Sequence, residues 1–202
     1  MTEAVIRVRN YAEAHEFDSV VFPSFEDGAK FMRDLAKNRV YPASVRLVDS
    51  MQFRFATAFS ATPESKKKLL MQKLAKFYLT KIKGYDPYKL AVATLLFEGS
   101  KEEVTQQKKL LYAIANTHHG FRAGAENGHK GYRLTFLIAY IRDFVMSHNF
   151  IAESLETSVP WSNVVSLCEN TRRQIIESAK KYGVQKPPFV TFRITLLYET
   201  VI

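Results

Sequence analysis

The sequence predicts an α+β fold: an antiparallel sheet with helices packed on one face, of the split-βαβ or ferredoxin-like class. Three features predict it. β-prone runs alternate with stretches of helical periodicity, helix-start and helix-stop residues mark the changes, and the last readable element is again β-prone.

The alternation of Val5, Ile6 and Val8 predicts a short strand over 2–9, followed by a mixed loop and a second strand over 19–22. Pro23 and Ser24 then punctuate the chain, and Phe25, Ala29, Met32 and Leu35 recur at helical spacing. A second strand-helix unit begins at Leu90, where LAVATLLFEG gives way to SKEEVTQQKKLLYAIANTHHG. Ser100 with Glu103 three residues on forms a capping box, and Leu111, Ile114 and Ala115 make the buried face. The third unit opens on FIAESLETSVPW from Phe150 and enters a helix whose stripe is Trp161, Val164, Val165, Cys168, Ile175, Ile176 and Ala179. Pro160 suits the first helical turn and Gly183 the helix end. The run 188–198 closes the pattern as a strand.

Two segments stand outside this repeat. One is a helix over 63–83, in which Lys66, Lys67, Lys68, Lys73, Lys76, Lys81 and Lys83 interleave with long apolar side chains, a mix found in interfacial helices. Its apolar residues are spread too widely for one clean face, which equally suits ordinary packing. The other is a glycine-punctuated loop, GFRAGAENGHKG, leading into the helix GYRLTFLIAYIRDFVMSH.

At 202 residues with 47% hydrophobic, 13% aromatic and 24% charged residues, the chain has the balance of one folded domain. A net charge of +9 favours anionic partners: nucleic acid, an anionic membrane surface or a phosphorylated substrate. A fragment of a larger protein that inherits an uneven share of charge would look the same. Cys168 is the only cysteine, which excludes an intrachain disulfide and a CxxC site. No apolar run approaches the roughly 20 residues that span a bilayer, and the first residues lack a signal-peptide core.

Among side chains, Arg142 stands first, because an arginine within LTFLIAYIRDFV is costly to bury unless paired or set against an anionic ligand. A salt bridge to Asp143 or another carboxylate is the bland explanation. Arg46, between Val45 and Leu47 on an expected strand, faces the same choice, with Asp49 as its structural partner if the strand bends. His118 and His119 are adjacent and diverge on a helix, so they make a poor metal pair, and His15, His129 and His148 read as surface residues. Glu98, Glu153 and Glu156 sit near expected strand ends, suited to acid-base work or to helix capping. No Walker loop, Gly-x-Ser-x-Gly elbow or GxGxxG is present.

The runs FPSFEDG, PASVRLVD, KFYLTKIKGYDP, VATLLFEG, ENGHKGY, IAYIRD and ESLETSVPW, in this order, resemble the cap domain of the alkyldihydroxyacetonephosphate synthase family, flavoproteins with an FAD-linked oxidase C-terminal domain. The resemblance covers about 2–198 and implies FAD as cofactor, held mostly by a separate flavin domain. It implies transfer chemistry without net redox change: the acyl chain of acyl-dihydroxyacetone phosphate is exchanged for a long-chain fatty alcohol in ether-lipid synthesis. It also implies that Arg46 is required for activity near the flavin and that Arg142 contacts the phosphorylated substrate. On the same ground, residues 1–10 are expected to be the last strand of a flavin domain and 11–202 a cap lacking the family's catalytic tyrosine and triple-histidine segment, so the chain alone is expected to be inactive. A homodimer, peripheral membrane contact and a peroxisomal location are the family's further implications.

Two other classes compete. A cap from an FAD-dependent D-2-hydroxyacid dehydrogenase or oxidase would also bring arginines to a carboxylate. A non-catalytic module, either a lipid-interaction module or an RNA-binding ferredoxin-like domain, would use the charge, but RNA binding wants an RNP pattern of strand aromatics that the sequence lacks, so no nucleic acid is expected.

Overall fold

The computed structural model describes residues 3–8, 10–58, 70, 73–74 and 76–195. Along the chain these form β1 (Ala14–Phe22), α1 (Phe25–Lys37), β2 (Ser44–Val48), α2 (Ser50–Ala58), a π-helical turn (Tyr78–Ile82), β3 (Ala91–Gly99), α3 (Lys101–Thr117), β4 (Phe121–Arg122), α4 (Ala125–Ser147), a 3-10 turn (Trp161–Asn163), α5 (Val164–Lys181) and β5 (Arg193–Ile194).

The five strands make one sheet in the order β4-β1-β3-β2-β5, and every neighbouring pair is antiparallel. The first four strands, with α1 and α3 as crossovers, reproduce the split-βαβ arrangement that the sequence predicts. β5 extends the sheet at its β2 edge, pairing Leu47 with Ile194 and Val48 with Arg193.

Local chemistry explains where the helices start. Ser24 accepts the Asp27 amide at 3.0 Å and opens α1. Ser100 and Glu103 form the reciprocal capping box of α3, with the Ser100 amide donating to Glu103 Oε2 at 2.8 Å. Strand alternation then divides the sheet into two faces. On one, Val20, Phe22, Leu47, Ala93, Leu95 and Phe97 meet Phe31, Met32 and Leu35 of α1 and Val104, Leu111 and Ala115 of α3. Trp161 and Val165, from the stripe read on α5, pack against the same core. Each large buried side chain there contributes roughly 1.5–3 kcal/mol.

The other face carries a smaller cluster around Val21, Val92 and Tyr85, with Val48, Phe53, Leu79 and Phe121 against it. It is also where α4 lies, an addition to the expected one-sided packing. Two glycines let the helix touch the strands: a Cβ on Gly128 would stand 2.2 Å from the Asp18 carbonyl oxygen, and one on Gly131 would stand 2.5 Å from Thr94 Cγ2. The segment ENGHKG, expected to be loop, is therefore helix, because these glycines serve close approach rather than chain reversal.

Other expectations are corrected. Residues 3–8 form no strand, and Val5 is 98% exposed. The expected mixed loop before residue 19 contains the first half of β1, whose polar residues find partners on both faces. Residues 150–160 form no strand and are largely exposed, Leu155 at 91%. Of the basic helix expected over 63–83, positions 63–69, 71–72 and 75 lie outside the described residues, as does the closing strand beyond residue 195.

Candidate functional site

Arg46 is the middle residue of β2, half-buried on the sheet face that α4 crosses. Its register partner is Thr94 of β3, whose hydroxyl donates to the Arg46 carbonyl at 3.4 Å. The same Thr94 meets Gly131, so Arg46 stands beside one of the two points where the helix presses on the sheet. Burial lowers the proton affinity of its guanidinium, the nearby Arg193 charge lowers it further, and Tyr132 of α4 acts the other way. A partly desolvated fork of five donors is suited to an oxyanion.

From Tyr132 a chain of rings runs along the same face. Its ring centroid is 5.3 Å from that of Phe136 and 5.4 Å from that of Phe17, and Phe17 stands 5.0 Å from His129 and 5.0 Å from His15. His15 Nε2 reaches Glu98 Oε1 at 3.3 Å. His15 is thus part of the helix-sheet contact, while His129 touches Phe17 but stays exposed, as a surface residue would, and Glu98 partners a histidine rather than a helix end.

Arg142 lies on the same helix, 11 residues beyond Gly131 and so about 16 Å farther along its axis. It is not buried. Its Nη2 is 3.6 Å from Glu153 Oε1, and the two side chains are 57% and 69% exposed, so the pair contributes little to stability. The premise that its apolar neighbours bury Arg142 fails, because Phe136, Tyr140 and Phe144 are exposed themselves. The described residues do not bring Arg142 and Arg46 into one contact: the helix that carries Arg142 presses on Asp18 of β1 and Thr94 of β3, and β3 is the strand paired with Arg46's own. Glu156 is exposed.

The guanidinium shown on Asp49 is that of Arg172, a partner the strand-bend reading did not foresee. Asp49 is nearly buried, with the Arg172 guanidinium at 2.7 Å and the amides of Gln52 and Phe192 donating at 2.9 Å and 3.3 Å. Burial raises its pKa against these three stabilising contacts. A second fully buried carboxylate, Asp18, accepts Arg122 Nε at 2.8 Å and the Tyr112 hydroxyl, which clamps β4 and α3 to β1. Sequence reasoning missed both clamps. The only signal was an acidic residue beside apolar neighbours, which demands a partner if buried but does not say which. His118 Nε2 sits 2.8 Å from Asp34, and burial pushes the Cys168 thiol up, which makes it a poor nucleophile.

Comparison with known proteins agrees with this architecture. Residues 12–199 match the family model for FAD linked oxidases, C-terminal domain. The chain is 41% identical over 98% of its length to an alkyldihydroxyacetonephosphate synthase of Caenorhabditis elegans, and 25% identical over 91% to one of Trypanosoma brucei brucei. It spans 33% and 30% of those two relatives. A solved structure of alkyldihydroxyacetonephosphate synthase in P1 has the same fold, with a TM-score of 0.80 at 22% identity over 95% of this chain and 35% of that one. With the split-βαβ sheet, the α4 crossing and a family match over nearly its whole length, the chain belongs to the FAD linked oxidases, C-terminal domain family.

Proposed function

We propose that this chain is the substrate-side cap of an FAD-dependent alkyldihydroxyacetonephosphate synthase, which exchanges the acyl chain of acyl-dihydroxyacetone phosphate for a long-chain fatty alcohol. The observation that carries the reading is the 41% identity, spread over 98% of the chain, with a relative of that name. The geometry supports it with a half-buried guanidinium on an accessible sheet face and a second, loosely held one on the helix that crosses that face.

The residues present fit one wall of a flavin site and not a whole one. Arg46 and Tyr132 offer donors and a ring beside the sheet, whereas the depression beside Glu98, Glu103 and Gln107 on the described surface is acidic and would repel a dinucleotide's phosphates. When bound, FAD supplies a ring that supports exchange without net electron transfer. Arg46, on this reading, orients substrate and offsets negative charge that develops during exchange. Arg142, with its fork exposed, binds the substrate phosphate in preference to Glu153. The sheet-bound half of α4 fixes the direction of approach and keeps water from the strand face beneath it.

Product analysis on the longer, flavin-loaded protein that contains this chain tests the reading. Ether lipid formed from acyl-dihydroxyacetone phosphate and a fatty alcohol is the expected result. Reduction of an electron acceptor by a 2-hydroxy acid, with no ether product, would replace the synthase with a dehydrogenase.

A further inference from the structure

Asp18 is a buried carboxylate that the exchange reaction does not use. It is the middle residue of β1, 1% exposed, on the side of the strand that also carries Val20 and Phe22. Arg122 of β4 places Nε at 2.8 Å and Nη2 at 2.6 Å from its Oδ2, the Tyr112 hydroxyl of α3 donates to the same oxygen, and the Ser19 amide donates to Oδ1 at 2.9 Å. The guanidinium also lies over the Tyr112 ring, 4.8 Å from its centroid. Buried charges of this kind are often replaceable by apolar side chains without loss of stability, so stability alone does not account for the arrangement.

Its geometry bears on α4. Arg122 ends β4, and only Ala123 and Gly124 separate it from the first residue of the helix. The Ala123 amide donates to the Ser19 carbonyl at 2.8 Å, and the Ser19 hydroxyl donates to the Gly124 carbonyl at 2.7 Å, on the opposite side of β1 from the Asp18 carboxylate. Gly128 then rests on the Asp18 backbone, whose carbonyl oxygen would stand 2.2 Å from a Cβ placed there. Two consecutive residues of β1 thus hold the entry and the first turn of the helix from both faces of the sheet. Farther along, Phe136, Tyr140 and Phe144 are exposed, so the direction of the outer half follows from how the base is held. Arg142 lies 14 residues beyond Gly128, about 21 Å along the axis, where a tilt of about 5° at the base displaces it by about 2 Å.

We propose that Asp18, gripped by Arg122, is a positioning residue for Arg142: the pair fixes the slope of α4 and with it the place at which the Arg142 guanidinium meets the substrate phosphate. The inference rests on the phosphate-binding role given to Arg142 above. A misplacement of about 1 Å that originates far from the reacting atoms costs on the order of 10²-fold in rate, so a base that yields by a few degrees is enough to matter. Neither Asp18 nor Arg122 touches substrate on this reading, and both act through the helix.

Two measurements separate positioning from a general contribution to stability. In this chain carrying Cys168→Ser, spin labels on Ser147→Cys, at the exposed end of α4, and on Lys37→Cys, at the exposed end of α1, report the slope of the helix as a distance by pulsed electron paramagnetic resonance. Arg122→Met and Arg122→Lys should each move the mean distance, or widen its spread, by about 2 Å. Arg172→Met, which breaks the ion pair on Asp49 toward the opposite edge of the sheet, should leave the distance as in the wild type. In the longer, flavin-loaded protein, Arg122→Lys should raise KM for acyl-dihydroxyacetone phosphate about tenfold or more and leave KM for the fatty alcohol within about twofold. An unchanged distance in both Arg122 variants, an equal shift in Arg172→Met, or a moved helix with both KM values unchanged overturns the proposal. Should Arg122→Met fail to fold, Arg122→Lys decides, because it keeps the charge beside Asp18 and loses only the fork. If the longer protein makes no ether lipid while the distance depends on Arg122, the synthase reading fails and the hold of Asp18 on α4 stands. Ether lipid formed by a protein whose helix does not move in the Arg122 variants removes the positioning role alone.

Discussion

Arg172 Nη2 lies 2.7 Å from Asp49 Oδ2, across 123 positions of sequence, and so ties α5 to the residue that ends β2 and starts α2. The Phe192 ring stacks on the same guanidinium, 4.9 Å from Cζ, and the Phe192 amide bonds the same carboxylate, which brings in the approach to β5. One ion pair thus holds three segments that meet at the edge beside Arg46.

Removing Arg172 should therefore loosen more than one contact. Arg172→Met is expected to cost roughly 1.5–3 kcal/mol, the range for a hydrogen bond to a charged group, moderated because Arg172 keeps part of its surface in water. Urea unfolding of the two proteins measures it, and a loss of about 0.5 kcal/mol or less, ordinary for a surface change, would mean the pair is incidental.

Asp49 gives this clamp a pH dependence with a definite sign. Burial raises its folded pKa above the ordinary 3.8, despite Arg172 and two amides, so the folded protein holds the proton more tightly than the unfolded chain does. Its contribution is therefore fully present below the unfolded pKa and declines as pH rises through the raised folded value. The stability of wild type minus that of Asp49→Asn should fall as pH rises from the unfolded value toward neutrality. Unfolding curves for both proteins across that span check it. A difference that grows with pH would mean that Arg172 outweighs burial.

The two glycines of α4 predict unequal effects. Gly128→Ala drives a methyl into the backbone of Asp18 in a central strand, which has no room to move. Gly131→Ala meets only the Thr94 side chain, whose replacement by serine removes the offending methyl. Gly128→Ala should cost about 1–3 kcal/mol or more with no single-site rescue, whereas Gly131→Ala should be largely restored by Thr94→Ser. Equal, small effects would show that α4 does not press on the sheet as described.

Arg142 separates catalysis from stability. Its pair with Glu153 is exposed, so Arg142→Lys and Glu153→Gln should each leave the melting temperature nearly unchanged. In the longer flavin-loaded protein, Arg142→Lys keeps the charge but loses the fork, and turnover should drop by on the order of 10²–10³. Intact turnover in Arg142→Met would end its role in substrate binding.

The lysine-rich stretch 63–83 is proposed to contact anionic lipid, on the strength of seven lysines among long apolar side chains. Flotation with anionic vesicles should weaken as salt rises, and should weaken further when those lysines are changed to glutamine, because screening shortens electrostatic reach to about 8–10 Å. Identical flotation of the two proteins would reject the contact.

How much of this was legible in the sequence follows from the range of the interactions involved. The Ser100–Glu103 capping box, the stripe of α1 and the placement of Arg46 on a strand were readable, because each depends on residues within a few positions of one another. The antiparallel split-βαβ class followed from the alternation of such units. The runs that carry the family resemblance named the family without any geometry, and the match over 12–199 agrees.

The tertiary structure decided the rest, for reasons of distance and packing. Two glycines within four positions each cost a helix roughly 1 kcal/mol, so local propensity reads GAENGHKG as loop. Contact with Asp18 and Thr94 reverses that judgement, because only a residue without a Cβ lets α4 lie on the strands. The polar start of β1 looked like loop for the same kind of reason: Glu16, Asp18 and His15 become strand residues once Lys108, Arg122 and Glu98 stand opposite them. Arg142 looked buried because its neighbours are apolar, yet that stretch of α4 leaves Phe136, Tyr140 and Phe144 exposed beside it. Arg193 gave no local sign at all, and only the register of β5 on β2 sets its charge beside Arg46, since strand pairing joins residues by geometry that sequence separation does not encode.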